Sequence, residues 1–483
     1  MVPHPRTPLL AAFLGLLAAA ILPTASASAQ PQPSMSQGSR PLADYTGTYR
    51  YHGGTTLALV PADTLLVAII DEAKYPLRAS GPDRFVNGPG QTIPFRRDAA
   101  GTVTGFEEGG TYFERLSPTV DPSIAQLVLA RPRDAGAYAY QPPPYLGDGI
   151  AVGDLAGAGL DASVAEAIVR GAVDGTWADL HSVLVYRRGR LVLEEYFYGF
   201  DRARPHPMRS ATKSVVSALV GVAIGQGALA GEQERVADRL PYAGFANPHP
   251  QKQALTLGDL LTHRTGLACD DWDGDSPGNE QRVYPSDDWV KFFLDLPVAA
   301  ERGTVARYCS AGVVTAGRMV ERATGQPLLA YAQRVLFDPL GIRAEDVRWN
   351  FTLSDENAST FAQLYLRPRD MLKLGILYQQ EGMWDGRRVL PAEWVRRSTA
   401  AHSQVGDQGY GYYWWHQWLS VPTAAGPRRV DMIAASGNGG QKIYLVPSLD
   451  LVAVFTGGAY NADNTPPNAI MARVLLPALL QAP

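Results

Sequence analysis

The sequence predicts an α/β fold: a mixed sheet domain with a large helical region, preceded by a small antiparallel β domain. Three observations predict it. Strand-like runs open and close the larger part of the chain with helix-like segments between them, so that one sheet joins both ends. From Asp44 to Leu116 the pattern is instead short alternating runs broken by glycine and proline turns. The 483 residues are 46% hydrophobic and 19% charged, a globular composition, and at roughly 150 residues per domain they make two or three domains.

The elements follow in order. Residues 1–29 carry a basic start (Arg6), an apolar run from Leu9 to Leu22 and the small-residue pattern Ala27-Ser28-Ala29. This reads as a secretory signal peptide, since the apolar run is shorter than the ~20 residues of a membrane span. The expectation is an exported protein, periplasmic or secreted, with no membrane association after cleavage. Residues 30–43, rich in Ser, Pro, Gln and Gly, read as a disordered lead-in. The small β domain is expected over 44–118. Leu57/Leu59, Leu65/Val67/Ile69, Ile93/Phe95 and Val103 are its candidate inward faces. Nothing in it suggests chemistry, so it reads as a structural or binding accessory. A connector, 119–146, contains Gln141-Pro142-Pro143-Pro144.

Residues 147–483 form the larger domain. A helix is expected over Ser163–Val173, then a hairpin of His181–Tyr186 and Leu191–Tyr198. A strongly apolar helix over Ser210–Ile224 is stopped by Gly225 and Gly227. Further helices are expected at Leu257–Leu261, Ser286–Leu294, Ala311–Ala323, Leu328–Leu336, Pro368–Glu381 and Ala392–Thr399. Strands return at Gln441–Val446 and Leu451–Thr456, and a helix over Asn468–Leu480 closes the chain. No repeat of 20–50 residues is visible.

The net charge of −4 offers no electrostatic reason for a nucleic acid partner. The basic residues are lopsided: 37 are Arg and 6 are Lys. Of those lysines only Lys213 has a serine three residues before it, in Ser210-Ala211-Thr212-Lys213, and only Lys213 opens a long apolar helix. Residues three apart share a helix face. An apolar setting disfavours an ammonium, and a neutral lysine accepts a serine proton, which activates the nucleophile. The plainer alternative is a capping serine beside a snorkelling lysine. Gly-x-Ser-x-Gly, His-Glu-x-x-His and Gly-x-x-x-x-Gly-Lys are all missing. The histidines do not pair at metal spacing and two cysteines cannot form a four-thiolate site, so no cofactor or metal is expected. The acidic run Asp270-Asp271-Trp272-Asp273-Gly274-Asp275 lacks full calcium-loop spacing and reads as a solvated loop at the cleft mouth.

Pro207-Met208-Arg209-Ser210-Ala211-Thr212-Lys213-Ser214 resembles the first motif of the serine β-lactamase and penicillin-binding superfamily. It is closest to the class C-like branch of 6-aminohexanoate-dimer hydrolases and esterases. Further matches run in order: Leu257 to Leu267, Arg307-Tyr308-Cys309-Ser310 where the family has Tyr-x-Asn, Arg369 to Gly375, Tyr410 to Trp415, and Gly437-Asn438-Gly439-Gly440-Gln441. The resemblance covers roughly 145–480 and implies a β-lactamase-like fold. It also implies Ser210 as a nucleophile forming an acyl-enzyme, Lys213 as the group that takes its proton, and Tyr308 as the phenol that passes it to the leaving group. A phenol serves near neutrality only beside a cation, which Lys213 would supply. The oxyanion hole would be the Ser210 N–H and one from the glycine-rich strand start, Gln441, where Gly439 and Gly440 let substrate approach. Two positions depart from the family: Ser310 replaces an amide, and Asn438 replaces a charged residue, which favours an ester or amide over a penicillin.

Cys309 follows Tyr308 and Cys269 follows the Leu267 motif, so a disulfide bracing the tyrosine loop is expected, with two buried thiols as the alternative. The expected function is an exported serine hydrolase acting on a small-molecule or short peptide-like substrate. A β-lactamase or D-alanyl peptidase proper, and a catalytically silent peptide or cell-wall binding module, remain open.

Overall fold

Eight short strands come first: β1 (Gly47–Arg50), β2 (Thr56–Ala62), β3 (Leu65–Ile70), β4 (Ala73–Gly81), β5 (Arg84–Val86), β6 (Thr92–Arg97), β7 (Val103–Glu108) and β8 (Thr111–Ser117). Each pairs antiparallel with the next, and β1 closes on β8, so no edge is left open. The computed structural model describes residues 40–481 except 52–55, 71, 89, 130–137, 243, 350–362, 424 and 463–464. The expected signal peptide and nearly all of the expected lead-in lie outside the described residues. The last residues of that lead-in begin a single 3-10 turn, Leu42–Tyr45, whose Tyr45 is buried.

The barrel interior holds Tyr49, Leu57, Leu59, Phe85, Ile93, Phe95, Val103, Phe106 and Phe113. The expected inward faces of β2, β6 and β7 are therefore correct. That of β3 is reversed. Leu66 and Ala68 point inward, while Val67 and Ile69 point outward with Ala58 and Val60, under Ile124, Ala125 and Val128. These last three belong to a helix, α1 (Pro122–Leu129), within the stretch expected to be connector. Because α1 covers the outer side, β3 is apolar on both faces, and alternation cannot mark its phase.

The second sheet has eight strands. They are β9 (Leu180–Arg187), β10 (Arg190–Tyr196), β11 (Ser403–Val405), β12 (Gln408–Tyr410), β13 (Trp415–Val421), β14 (Arg428–Gly437), β15 (Gln441–Val446) and β16 (Leu451–Gly457). Their order is β10-β9-β16-β15-β14-β13-β12-β11. The β9–β16 pairing, Thr456 opposite Ser182, joins the two ends of the domain as expected. Strands β11 to β14 were not expected and extend the sheet beyond β15.

Four helices matter most for the site and its support: α2 (Ala162–Val173), α3 (Thr212–Gly225), α4 (Ser310–Thr324) and α5 (Pro368–Gln379). Every residue of α3 from Thr212 to Ala223 is buried, as befits a helix apolar on all sides. Helix α5 lies on β15 and β16, where a side chain at Gly375 would press on Val452 and Ile443. Its Arg369 forks onto Glu194 of β10 at 2.9 and 2.7 Å and reaches Asp148 at 3.0 Å. That motif therefore ties helix to sheet. Among the described residues no helix is long and apolar enough to cross a membrane.

Candidate active site

The site forms where α3 begins. A 3-10 turn, Arg209–Ala211, feeds directly into the helix. Arg209 takes a left-handed backbone, φ 51°, which costs a non-glycine residue ~1–2 kcal/mol. Ser210 follows at the bend. Lys213, one turn on and 1% exposed, donates from Nζ to Ser210 Oγ at 2.8 Å. The same Nζ sits 4.8 Å from the centre of the Tyr308 ring. The three residues expected to do chemistry are thus brought together.

Tyr308 stands on a loop held from several sides. The Cys269–Cys309 disulfide joins it to the preceding loop, with Cα atoms 5.4 Å apart. Asp271 N–H donates to the Tyr308 carbonyl at 2.8 Å. His263 Nδ1 accepts the Cys309 N–H at 3.4 Å, and its Nε2 is 3.2 Å from Tyr410 Oη. Burial, aided by the Lys213 charge, pushes His263 down to about 3, so this imidazole is neutral at ordinary pH. Burial also keeps the Tyr410 and Tyr413 phenols protonated, well above their ordinary range.

The mouth is aromatic. Trp272 is 60% exposed, yet it stacks on Tyr308 at 5.5 Å and on Trp415 at 6.0 Å, nearly parallel to both. The rest of the acidic run behaves as a solvated loop, with Asp270 and Asp273 accepting backbone N–H groups two residues on. Asp271 differs: it turns inward. Its Oδ2 accepts the Ser310 N–H at 2.8 Å, while Oδ1 is buried with no hydrogen-bond partner. Burial and the neighbouring Glu280 charge push its carboxyl up to about 7, against the opposing pull of Lys213.

The remaining expected residues lie around this centre. Ser310 is fully buried; its hydroxyl donates to Glu280 at 3.4 Å, so it stands behind the cleft wall. The strand residue against the nucleophile turn is Gly437, where a side chain would collide with the Met208 carbonyl and crowd Arg209. Gln441, opposite Gly437 in register, is fully buried and its side-chain amide exchanges hydrogen bonds with Gly457. Asn438 Nδ2 donates to Asn461 Oδ1 at 2.7 Å, and its Oδ1 accepts the Asn461 N–H at 2.8 Å. Gly439 and Gly440 turn at φ +89° and +94°, and the turn packs against Tyr460. Among the described residues no group of three or more His, Cys, Asp or Glu is placed to hold a metal.

Sequence reasoning missed the barrel's share in this site. Arg209 donates to Tyr75 Oη of β4, and its guanidinium lies 5.8 Å from the Tyr75 ring and 5.1 Å from the Tyr460 ring. Arg204 pairs with Glu72 at 3.1 Å nearby. It also missed His263 and Asp271, although both stand inside motifs already singled out.

An eight-stranded sheet faced by helices, with a serine–lysine pair at the head of the buried helix, is the architecture of the β-lactamase fold. The family model described as Beta-lactamase matches residues 164–476, and the chain belongs to that family. Among curated proteins, it is 28% identical to penicillin-binding protein 4 of Amycolatopsis lactamdurans over 227 residues, 39% of this chain and 56% of that protein. It is 29% identical to esterase EstB of Burkholderia gladioli over 180 residues, 34% of this chain and 44% of that one. The chain therefore spans about half the length of each. A penicillin-binding protein homologue from Caulobacter crescentus shares the fold, with TM-score 0.51 at 16% identity, over 68% of this chain and 99% of that one.

Proposed function

We propose that this chain is an exported serine hydrolase that cleaves an amide or ester of a small molecule or short peptide through an acyl-enzyme on Ser210. One observation carries the reading: Lys213 Nζ lies 2.8 Å from Ser210 Oγ and 4.8 Å from the Tyr308 ring centre. Ser210 Oγ attacks the carbonyl carbon while its proton passes to Lys213. The tetrahedral oxyanion is held by the Ser210 N–H and one N–H of the Gly437–Gln441 segment. Tyr308 hands the proton to the departing amine or alcohol, and the acyl group stays on Ser210. Water, deprotonated by the same pair, then releases the acid and restores Ser210.

The named activities of the relatives, an esterase and a penicillin-binding protein, support acyl transfer. The Asn438 side chain, engaged with Asn461 and uncharged, supports an ester or amide rather than a penicillin carboxylate. The Cys269–Cys309 bridge supports an oxidising compartment. The test is adduct mapping after exposure to a fluorophosphonate and, separately, to a penicillin. The expected result is a fluorophosphonate adduct on Ser210. An adduct elsewhere would overturn the mechanism, and no adduct would leave a binding module. A penicilloyl adduct that turns over quickly would make the protein a β-lactamase.

A further inference from the structure

Asp271 is the carboxyl that the proposed chemistry does not use. Its backbone N–H holds the Tyr308 carbonyl at 2.8 Å, and its Oδ2 holds the Ser310 N–H at 2.8 Å. It thus grips the chain on both sides of the Cys309 bridge point. Its Oδ1 is buried and makes no hydrogen bond. Such an atom costs stability, and a solvated loop residue would simply have turned outward, as Asp273 and Asp275 do.

We propose that Asp271, in its ionised form, is the positioning residue that sets Tyr308 against Ser210 and Lys213. It does so from the Cys269 side of the disulfide, two residues beyond the bridge. This rests on the Ser210–Lys213–Tyr308 reading above and adds to it a group that reading does not use.

The groups facing Asp271 are Lys213 from the head of α3, Glu280 from the short helix Glu280–Val283, and Tyr308 and Ser310 from the loop entering α4. An ionised carboxylate accepts the Ser310 N–H in a charge-assisted bond, stronger than the bond to a protonated acid. It also favours the ammonium that Lys213 becomes once it has taken the Ser210 proton. Glu280, bonded to the Ser310 hydroxyl at 3.4 Å, opposes that ionisation as a like charge. The two carboxyls therefore play different parts. Asp271 holds the tyrosine loop, and Glu280 sets the pH at which it does so. With the Asp271 carboxyl pushed up to about 7, the ordered form is gained as pH rises through neutrality.

The test is the rate of fluorophosphonate labelling of Ser210 in the full chain, between about pH 5 and about pH 9. The unmodified protein is expected to show a bend near pH 7, with faster labelling above it. Asp271→Asn, nearly isosteric, is expected to lose that bend and to label roughly ten- to hundred-fold more slowly at the alkaline end. Glu280→Gln is expected to keep the fast rate and move the bend about one pH unit lower. An Asp271→Asn protein that keeps the bend overturns the proposal, as does one that is slower with an unchanged profile. A bend that does not move in Glu280→Gln overturns it too, even if Asp271→Asn fails to fold. Unmodified protein that labels Ser210 without any bend overturns this inference alone. A Ser210 that never labels overturns the underlying mechanism and this inference with it.

Discussion

Removing the bridge between Cys269 and Cys309 tests how the tyrosine loop is held. The bridge closes a loop of sequence separation 40, and the chain-entropy relation gives such a closure about 4 kcal/mol at 25 °C. The perturbation is the double substitution Cys269→Ala with Cys309→Ala. Both cysteines are buried, at 1% and 2% exposure, so the small cavity left by two sulfurs adds to the loss. The assay is equilibrium urea unfolding of both proteins without reductant, followed by tryptophan fluorescence. The expected loss is about 4 kcal/mol, with a steeper urea dependence because the unbridged unfolded chain exposes more surface. The loops joined here carry Asp271 and Trp272 on one side and Tyr308 on the other, so Ser210 labelling should slow even where the variant is folded. A loss under about 1 kcal/mol would refute the reasoning, showing that the unfolded chain is already restricted without the bridge. So would two alkylatable thiols in the unreduced, unfolded parent.

Three further outcomes follow from the geometry. Lys213→Met keeps the stem inside the apolar helix and removes only the amine, so Ser210 labelling should fall about a thousandfold with the fold intact; labelling within tenfold of the parent would remove Lys213 from the proton path. Lys442 is buried with Ser436 Oγ as its hydrogen-bond partner at 2.9 Å, and burial pushes its ammonium down from 10.5 to about 8. A base depressed in the folded state destabilises the fold while charged, so the parent should gain stability as pH rises from about 8 to about 10.5. Lys442→Met should then be more stable at pH 7 by up to about 3 kcal/mol, a gain that shrinks above pH 10; a destabilised variant at pH 7 would contradict this. Tyr75→Phe deletes the hydroxyl that receives Arg209, and should cost about 2 kcal/mol and slow Ser210 labelling. Unchanged labelling would reduce the barrel contact to scaffolding.

What was legible in the sequence divides along a physical line. The Ser210–Lys213 pair could be read because both residues sit on one helix, where spacing alone fixes proximity. Helices α2, α4 and α5 were read nearly to their observed ends because their apolar faces recur at a fixed period, and α3 because its apolar run is stopped by Gly225 and Gly227. The β3 phase was not, because α1 buries its second face and erases the alternation. Strands β12 and β13 were hidden because the first is three residues long and the second, Trp415–Val421, does not alternate apolar with polar residues. Asp271 was hidden by its neighbours: in an acidic run nothing marks the member that turns inward. That depends on Tyr308 and Ser310, some 40 residues away.

The barrel was legible as a small antiparallel β fold but not in its contact with the site, and that contact changes how it is understood. No motif in β1 to β8 suggests chemistry, and none is found there. Yet Tyr75 and Tyr460 together hold the guanidinium of Arg209, the left-handed residue immediately before Ser210. A left-handed non-glycine residue persists only where its surroundings over-determine it. Here part of the surroundings comes from β4 of the barrel, more than a hundred residues earlier in the chain. The barrel is thus built into the nucleophile turn. The left-handed turn before Ser210 is held jointly by Tyr75 of the barrel and by Tyr460, so loosening either contact should slow Ser210 labelling.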